Sequence, residues 1–438
     1  MTHTTSKRAS FRFSPVAAGC AVLLVTASAA HAQQAVDNVV VTGIRAAIES
    51  AISTKKNADG IVEAISAEDI GKLPDTTVAE SISRLPGVTA QRSAVTGRAQ
   101  GVSVRGMSPD FNGGLLNGRE QASTASNRGV EFDQFPAELL SSVVVYKTAD
   151  ASLAGQGLSS TIDLQTVRPL NFAKRNVVVS ARGESMGKAE NQPGFGTGNG
   201  DRYSVSYIDQ FADRTVGVAL GFVKSKSNGG GRPNFNTWGG WVADVDYQGQ
   251  KVKAPGGFTT DIETINSDRT GAMAVLQYKP NKDFESTVDF FHSKGNFSVQ
   301  KRGLEGPVGG LSAGGYDSGG VLTNATIVNG IAQSGTFTNF RGVIRNHNED
   351  YTDTLNSLGW GTKFKAADWR MKTDLSYSKV VKDSVRFETT AGLPGSVNNP
   401  LDTISFSGFN GSNLANVAYK TGLNYADPNI IKLTNPQG

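Results

Sequence analysis

The chain after Pro169 alternates between apolar side chains and polar or small ones in seven stretches between Asn176 and Glu388. The clearest stretch, "RTVGVALGFVKSKS", has apolar side chains at every second position: Val216, Val218, Leu220 and Phe222. Strict alternation places one kind of side chain on each face of a half-buried β-strand. The pattern therefore predicts a large antiparallel sheet in this half of the chain.

The links between these stretches alternate in length. Short links occur at 209–215, 279–285 and 365–370, and long links rich in Gly, Asn and Ser occur at 184–200, 225–269, about 299–350 and after about 388. Short turns on one side and long loops on the other are typical of a transmembrane antiparallel β-barrel with an apolar face toward lipid. A soluble β-sandwich or a secreted β-adhesin is the alternative, because its strands also alternate.

Residues 55–169 have a different pattern, in which short strands and short helices follow one another. "GIVEAIS", "GVSVRG" and "STIDLQTV" indicate strands, and "SAEDIGKLP" and "TTVAESISRLPGV" indicate helices. In "FPAELLSSVVVYKT", Pro136 stands at a helix start that leads into a strand. This composition predicts an α+β domain of ordinary size.

The first 32 residues have the features of a secretory signal peptide. Lys7, Arg8 and Arg12 precede an apolar segment at 16–26, and Ala30-His31-Ala32 is a small-residue cleavage site. A disordered cytosolic tail and a lipoprotein signal using Cys20 are the alternatives. Cleavage after Ala32 removes the only cysteine, so the mature chain would have no disulfide.

Residues 33–54 begin with "DNVVVTGIRAAIESAI". The valines favour extended structure, but no strand partner lies nearby in the sequence. Ile44, Ile48 and Ile52 recur every four residues and predict a helix. We expect this helix to be a linker packed near the following domain, or else a lever.

Composition excludes several function classes. The 438 residues carry a net charge of only +4, which gives no case for nucleic acid binding. Four scattered histidines and no mature cysteine argue against a clustered metal site. The glycine cluster "GFGTGNG" does not follow a strand and open a helix, as a phosphate-binding loop would. We therefore expect no enzymatic activity, no cofactor and no bound metal.

Four motifs, in order, resemble a TonB-dependent outer-membrane receptor. "DNVVVTGIR" resembles a TonB box, and "IVEAISAEDIGKLPDTTVAESISRLPGVTAQR" resembles the start of a plug domain. "VSVRGMSPDFNGGLLNGRE" and "SSVVVYKTADASLAGQGLSSTIDLQTVRPL" resemble later plug segments. The resemblance is to the group common in Xanthomonas-, Caulobacter- and sphingomonad-like bacteria, and it covers residues 36–170 by motif and the rest by strand pattern.

The resemblance implies a domain order. It consists of a signal peptide (1–32), a TonB box with a linker helix (33–54), an α+β plug domain (55–169) and the N-terminal part of a barrel (170–438). Transporters of this type have 22 strands, and about seven are predicted here. The final "LTNPQG" looks like a loop. We expect the chain to be the N-terminal part of a longer reading frame that cannot by itself form a working pore.

The resemblance also implies site residues. The TonB-binding segment is Val39, Val40, Val41, Thr42 and Gly43. Arg105 and Lys147 stand where the family has plug residues that pair with barrel glutamates, which here would lie beyond residue 438. Trp238, Trp241 and Tyr247, in what is predicted to be a loop, are candidates for stacking on a ligand.

The implied function is energy-coupled uptake of a scarce nutrient across the outer membrane of a Gram-negative bacterium. The partners would be the C-terminal domain of TonB with its inner-membrane energising complex, outer-membrane lipid, and a small-molecule or oligosaccharide ligand. A carbohydrate is the first expectation, and a siderophore or other metal chelate is the alternative. A non-transporting surface β-protein or adhesin would need neither a TonB box nor a plug.

Overall fold

The structure is a computed structural model. It describes residues 42–66, 77–93, 98–125, 127–154, 157–185, 197–306, 308, 312–313, 316–317, 320–393, 401–414 and 416–437. The predicted signal peptide, the valine segment and the predicted helix "SAEDIGKLP" beyond Ser66 lie outside these residues. The elements of Ala47–Gly438, which form one compact unit, are described below.

An N-terminal domain of mixed structure comes first. Helix α1 (Thr42–Asn57) confirms the predicted helix, although Ile48 and Ile52 are about half exposed. Thr77 caps the short helix α2 (Val78–Ile82) through its side chain. The strands are β1 (Val62–Ser66), β2 (Val88–Arg92), β3 (Ala99–Val104), β4 (Asn112–Leu116), β5 (Arg119–Glu120), β6 (Ser142–Tyr146) and β7 (Ser160–Gln165).

Five of these strands form a mixed sheet in the order β1-β6-β7-β4-β5, in which only β4 and β7 are parallel. Strands β2 and β3 form a separate hairpin. Single 3-10 turns at Pro109–Phe111, Phe132–Gln134, Ala137–Leu139 and Pro169–Asn171 connect the strands. The third of these turns follows Pro136, where the sequence predicts a helix start. The α+β character predicted for this part of the chain is confirmed.

The rest of the chain is a strand-rich sheet, called the large sheet below. Its strands are β8 (Asn176–Ser185), β9 (Asn199–Phe211), β10 (Val216–Asn228), β11 (Arg232–Tyr247), β12 (Gln250–Tyr278), β13 (Phe284–Gly306), β16 (Leu322–Val328), β17 (Ile331–Phe340), β18 (Val343–Ala366), β19 (Trp369–Gly392), β20 (Asp402–Ser407), β21 (Ala418–Thr421) and β22 (Lys432–Gln437). Strands β14 (Ser312–Ala313) and β15 (Tyr316–Asp317) form a separate small hairpin. No helix in the described part of the chain is long and apolar enough to cross a membrane.

The main path of the sheet is antiparallel and runs β8-β9-β10-β12-β13-β18-β19. The β9–β10, β12–β13 and β18–β19 connections are short and lie at one edge, called the short-turn end. Within the described ranges, β8 pairs only with β9, and β19 pairs beyond β18 only with β22, over Glu388–Gly392. The sheet is therefore open and is not a closed barrel.

The long loops expected from the sequence are the main error in the prediction. All seven predicted stretches lie in strands, but the count of seven is not confirmed, because the large sheet contains thirteen strands. Residues 225–269 and 299–350 are largely β-structure, and 432–437, predicted as loop, form β22. Strand β12 alone has 29 residues. The first half of β12 has a polar, Gly-containing sequence that favours a loop, although Val252 and Ala254 are buried in a second hydrophobic cluster and Lys251 and Lys253 are exposed.

The two faces of the large sheet have different roles. On its outer face, Leu220, Phe290, Leu358 and Trp360 are 39–50% exposed, which confirms the predicted apolar face. The inner face meets the N-terminal domain. It is not uniformly polar or small, as expected, because part of it packs on a core and not on water.

The inner face and the N-terminal domain share one hydrophobic cluster. Phe291 of β13 is 1% exposed and its ring lies 5.6 Å from that of Phe135. Gly221 and Gly271 lie where side chains of the domain pack closely on the inner face. A Cβ at either position would lie 2.8 Å from a side-chain atom, of Leu139 and Pro136 respectively. The small inward residues noted in the sequence therefore make room for the domain.

We expect Phe291→Ala to lower the free energy of unfolding by about 3–5 kcal/mol, because it removes a fully buried ring and leaves a cavity. Phe290→Ala is the matched control, since its ring is 39% exposed on the other face of the same strand. Chemical unfolding in detergent, followed by tryptophan fluorescence, measures both. Equal losses for the two variants would contradict the assignment of the faces.

Candidate functional site

Arg119 is placed by a tight hairpin in the N-terminal domain. Strands β4 and β5 are joined by Asn117 and Gly118, whose φ angles are 56° and 79°. Two consecutive positive φ angles define a type I′ turn, for which Asn-Gly is the preferred sequence. The hairpin holds Arg119 at the edge of the domain sheet, facing the large sheet.

Two carboxylates of the large sheet bind the Arg119 guanidinium. Its Nη1 donates to Asp289 Oδ2 at 2.6 Å, and its Nε and Nη2 donate to the two oxygens of Asp374 at 2.7 and 3.1 Å. Arg119 is only 7% exposed. The pair with Asp374 is bidentate, a geometry that suits guanidinium and carboxylate. We call this arrangement the Arg119 contact.

Strand β18 provides the space in which the guanidinium lies. Gly359 pairs with Asp289 on one side, and Gly361 pairs with Asp374 on the other. A Cβ at Gly359 would lie 1.9 Å from Arg119 Nη1, which is impossible without displacement. Two glycines flanked by two aspartates therefore form a slot across β13, β18 and β19 for one arginine.

The turn itself reinforces the Arg119 contact. Asn117 Nδ2 donates to Asp289 Oδ1 at 3.0 Å, and the Gly118 N–H donates to Asp163 Oδ1 at 2.7 Å. Burial lowers the pKa of Arg119, but its hydrogen bonds to Asp374 and Asp289 outweigh burial and raise the pKa above the ordinary value. Burial raises the pKa of Asp163. The contact is thus a charge-assisted network spanning the domain and the large sheet.

A cavity of about 680 Å³ borders the Arg119 contact between the domain and the inner face. Its walls include Asp163, Arg168 and Lys372. Arg168 Nη1 is buried and has no hydrogen-bond partner among the described residues. The space beside the contact is therefore polar.

A second group of charges joins the domain to the large sheet. Arg202 of β9 donates to Glu138 at 2.6 Å, and Arg269 of β12 donates to the Gln134 carbonyl oxygen at 3.4 Å. Nearby, burial raises the pKa of Asp133 to about 6, and its Oδ1 has no hydrogen-bond partner in the described part of the chain. Ionic contacts therefore hold the domain at two separate places.

The predicted TonB-binding residues are only partly described. Val39, Val40 and Val41 lie outside the described residues. Thr42 and Gly43 are the first two residues of helix α1 and do not extend a strand. The assignment of this segment stays a prediction.

Arg105 and Lys147 lie together within the domain. Arg105, at φ 55°, donates through Nη1 to the Lys147 carbonyl oxygen at 2.7 Å. Lys147 is buried; its ammonium donates to the Pro86 carbonyl oxygen and lies 3.5 Å from Glu63. The ion-pair partner of Lys147 is thus a residue of β1. Pairing of either residue with a barrel glutamate stays a prediction.

The aromatic ligand candidates lie in a strand. Residues 235–247, predicted as loop, belong to β11, with a register shift between Trp238 and Val242. Trp241 is 40% exposed. The hydroxyl of Tyr247 accepts from the Ala325 N–H at 3.3 Å. The side chain of Trp238 lies outside the described atoms, so the stacking of Trp238, Trp241 and Tyr247 on a ligand stays a prediction.

A cavity of about 330 Å³ lies on the inner face beyond the domain, away from the short-turn end. Charges of both signs line it: Asp261, Lys301, Glu305, Arg345, His347, Arg386 and Glu388. Glu388 accepts from Arg345, Arg386 and His347 at 3.3, 2.7 and 2.8 Å. Such a wall can bind a polar or charged ligand. Among the described residues, no group of three or more His, Cys, Asp and Glu is arranged to hold a metal ion.

The comparisons with known proteins identify the N-terminal domain. Residues 54–160 match the model of the TonB-dependent Receptor Plug Domain. This part of the chain is a plug domain. The match covers the β1–β6 region and the hairpin that holds Arg119, so the Arg119 contact joins the plug domain to the large sheet. The search of curated proteins finds no significant match.

Solved outer-membrane receptors are similar only at low levels. The ferric citrate transporter FecA is 11% identical, with a TM-score of 0.38, over 82% of this chain and 64% of its own. The siderophore receptor PirA from Acinetobacter baumannii is 12% identical, with a TM-score of 0.32, over 81% of this chain and 62% of its own. The transporter YddB from Escherichia coli is 12% identical, with a TM-score of 0.31, over 79% of this chain and 60% of its own. The chain thus spans less than two thirds of their lengths.

Sequence reasoning missed Arg119, although the signal was visible. The Asn117-Gly118 pair marks a two-residue hairpin. The turn fixes the pairing register of the strand that follows it, and so the position of Arg119. Asp289 and Asp374 are acids at inward-facing positions of predicted strands. What the sequence could not show was that strands β13 and β19 flank one glycine-bearing strand.

We expect Arg119→Ala to destabilise the docked plug domain by about 3–5 kcal/mol, because it leaves two partly buried carboxylates without their cation. Arg119→Lys should recover only part of the stability lost in Arg119→Ala, since an ammonium group cannot form the bidentate pair with a carboxylate. Gly359→Ala should resemble Arg119→Ala by displacing the guanidinium. Arg92→Ala is the control, because Arg92 pairs with Glu80 at 2.6 Å but is 58% exposed, and its loss should stay below about 1 kcal/mol. Thermal unfolding in detergent measures all four, and a large loss in the control would contradict this ranking.

Asp133 predicts a pH dependence of stability. Its pKa of about 6 exceeds the ordinary 3.8, so the folded state binds more protons between these values, and the free energy of unfolding falls as pH rises through this window. Asp133→Asn should therefore raise the melting temperature above pH 6, and this gain should vanish below pH 4. Asp150→Asn should instead lower stability at neutral pH, because hydrogen bonds from Ser152 lower the pKa of Asp150. A pH-independent effect of Asp133→Asn would refute the assignment.

Proposed function

We propose that this chain belongs to a TonB-dependent transporter that takes up a scarce nutrient across the outer membrane. The observation that carries the proposal is a plug domain held against the inner face of a strand wall by a buried ionic contact. A plug is needed only where a pore must be closed and then opened. A surface adhesin has no use for one.

The Arg119 contact suits a domain that must be retained and still move. Breaking a buried ion pair is costly when one partner is removed, yet the intact pair adds little net stability, because desolvation offsets attraction. Arg119 and Asp374 line the neighbouring polar cavity and can be rehydrated if water enters it. The contact therefore specifies position strongly without making the docked state irreversible.

A force applied at the N-terminal segment would reach the plug domain through helix α1. Lys55 near the end of α1 pairs with Glu63 of β1 at 2.7 Å, and Glu63 also faces Lys147. Among the described strands β1 pairs only with β6, over five residue pairs. In this proposal the box at Val39–Gly43 binds the C-terminal domain of TonB, and the pull loads β1 first.

Two ligand chemistries are candidates for the proposed transport. A carbohydrate or oligosaccharide follows from the subgroup that the motifs resemble, and exposed Trp241 could stack on a sugar ring. A siderophore or other ferric chelate is the second candidate. The charged inner cavity lined by Arg345 and Arg386 would suit the carboxylates of an iron chelate. Enzymatic activity forms no part of the proposal.

The test is Val40→Pro in the complete protein. Proline removes a backbone donor from the strand that would pair with TonB. Uptake should be lost while binding of ligand at the cell surface persists. Val36→Pro, just before the box, should leave uptake unchanged. The measurement is the energy-dependent uptake of labelled malto-oligosaccharides and of ferric citrate. For each ligand, the amount bound at the cell surface is measured in parallel. Loss of binding as well would indicate misfolding, and normal uptake in Val40→Pro would overturn the proposal.

A further inference from the structure

Helix α1 carries isoleucines on its exposed face and small or polar side chains on the face toward the plug domain. Ile48 and Ile52, one turn apart, are 50% and 58% exposed. Ser50, Ala51 and Thr54 instead line the cavity of about 680 Å³ beside the domain sheet. A helix on a folded domain normally turns its apolar stripe inward. The orientation of α1 is the reverse, and we call Ile48 and Ile52 the isoleucine pair.

Contacts near the end of α1 maintain this orientation. Lys55 Nζ donates to Glu63 Oε2 of strand β1 at 2.7 Å. A roll of the helix that buried the isoleucine pair would move Lys55 out of this contact. It would also place two aliphatic side chains in a cavity whose walls include Asp163 and Arg168. Within the described residues, the domain side of α1 is therefore a polar environment that does not suit the isoleucine pair.

The spacing of the isoleucines suits insertion into a groove of another protein. Side chains at positions i and i+4 lie on one face of a helix. Helices that bind in the apolar grooves of other proteins use anchors at such positions. In the sequence, Ile44 continues the same spacing by one turn toward the N-terminus. The exposed face of α1 therefore matches a partner with an apolar groove.

The isoleucine pair lies next to the segment that the proposed function assigns to TonB. Gly43, the last residue of that segment, belongs to the first turn of α1, five residues before Ile48. At about 1.5 Å per residue, Ile48 and Ile52 lie about 8 and 14 Å along the helix from Gly43. A folded domain of about 100 residues has a radius of gyration of about 13 Å. A domain that pairs with Val39–Gly43 would therefore also meet the isoleucine pair.

We propose that the isoleucine pair is a second contact for the C-terminal domain of TonB, whose apolar groove would take both side chains. The proposal rests on the proposed function, which supplies the first contact at Val39–Gly43. Strand pairing uses main-chain groups that every sequence provides, whereas the isoleucines supply side-chain contacts. A domain bound at both places would pull directly on α1 as well as on the residues before it.

The first test measures binding of the purified C-terminal domain of TonB to the complete protein in detergent, by isothermal titration calorimetry. Ile48→Ala with Ile52→Ala should weaken binding about fiftyfold, because three carbons are lost from each half-exposed side chain. Alanine has the highest helix propensity, so α1 should persist in the variant. Wild-type affinity in this variant would overturn the inference.

The matched control is Leu158→Ala with Met107→Ala, which removes the same number of heavy atoms from exposed side chains of the same domain. Leu158 is 86% exposed and Met107 is 42% exposed. Both lie near the start of β7, where Ser159 donates to the carbonyl oxygen of Val104 at 2.8 Å. Helix α1 borders the cavity with Gln165, at the other end of β7. The control should bind TonB as the wild type does, and an equal loss would overturn the inference.

The second test measures directly what covers the helix. Ile52→Cys and Ser53→Cys, each in the complete protein with Cys20 replaced by Ser, place thiols about 100° apart around α1. Both residues are exposed, so both thiols should react with a maleimide reagent. A saturating amount of the TonB domain should block the labelling of Ile52→Cys and leave Ser53→Cys reactive. Equal labelling of Ile52→Cys with and without TonB would overturn the inference.

Other occupants of the isoleucine pair give different results in the absence of TonB. If Ile52→Cys is unreactive in detergent, further chain of the complete protein covers it. If Ile52→Cys reacts in detergent but not in outer-membrane vesicles, lipid covers it. If the wild type is a dimer and the double alanine variant is a monomer, a second copy covers it. Each of these results would overturn the inference.

Val40→Pro separates this inference from the proposed function. Under the proposed function, Val40→Pro loses binding of the TonB domain, because the strand pairing is interrupted. Loss in Val40→Pro beside unchanged binding in the double alanine variant would overturn only the second contact. Unchanged binding in Val40→Pro would overturn the proposed function itself.

Discussion

The burial of one guanidinium between two aspartates decides how the two parts of this molecule fit together. Arg119 can reach Asp289 and Asp374 at once only if the strand between their strands has no side chains at that level, and Gly359 and Gly361 meet this condition. A shift of β18 by one residue would turn Leu358 or Trp360 inward. The ionic contact therefore constrains the register of three strands as well as the position of the plug domain.

The same register sets the two faces of the large sheet. Because side chains alternate along a strand, an inward Asp289 requires an outward Phe290 and an inward Phe291. Phe291 then packs on Phe135 of the plug domain, and Phe290 joins the apolar outer band. The strands of the main path share this pattern and form a wall that is polar or packed inside and apolar outside. That is the arrangement expected of a wall between lipid and a plug.

Sequence patterns predicted the faces, the α+β character of residues 55–169 and helix α1, because local periodicity carries that information. They failed where Gly, Asn and Ser content favoured a loop over the alternation that was present. In β11 and the first half of β12, Val245 and Val252 are buried in a second hydrophobic cluster while Asp244 and Lys253 are exposed, and pairing continues for thirteen residue pairs. The Arg119 contact was missed for another reason. Its members are separated by 170 and 255 residues, and only strand order brings them together.

The topology of the plug sheet separates its two attachments. Strand β1, which follows helix α1, is at one edge of the order β1-β6-β7-β4-β5, and the Arg119 hairpin is at the other. Four strand spacings, about 19 Å, lie between them. A pull through α1 would strip the five pairs of β1 from β6 before loading Arg119. While β1 is pulled away, the Arg119 contact would hold the opposite edge of the plug sheet, at β5, against β13 and β19. An attachment on the edge opposite the force favours partial opening of the plug over its expulsion, and that is what a reversible gate requires.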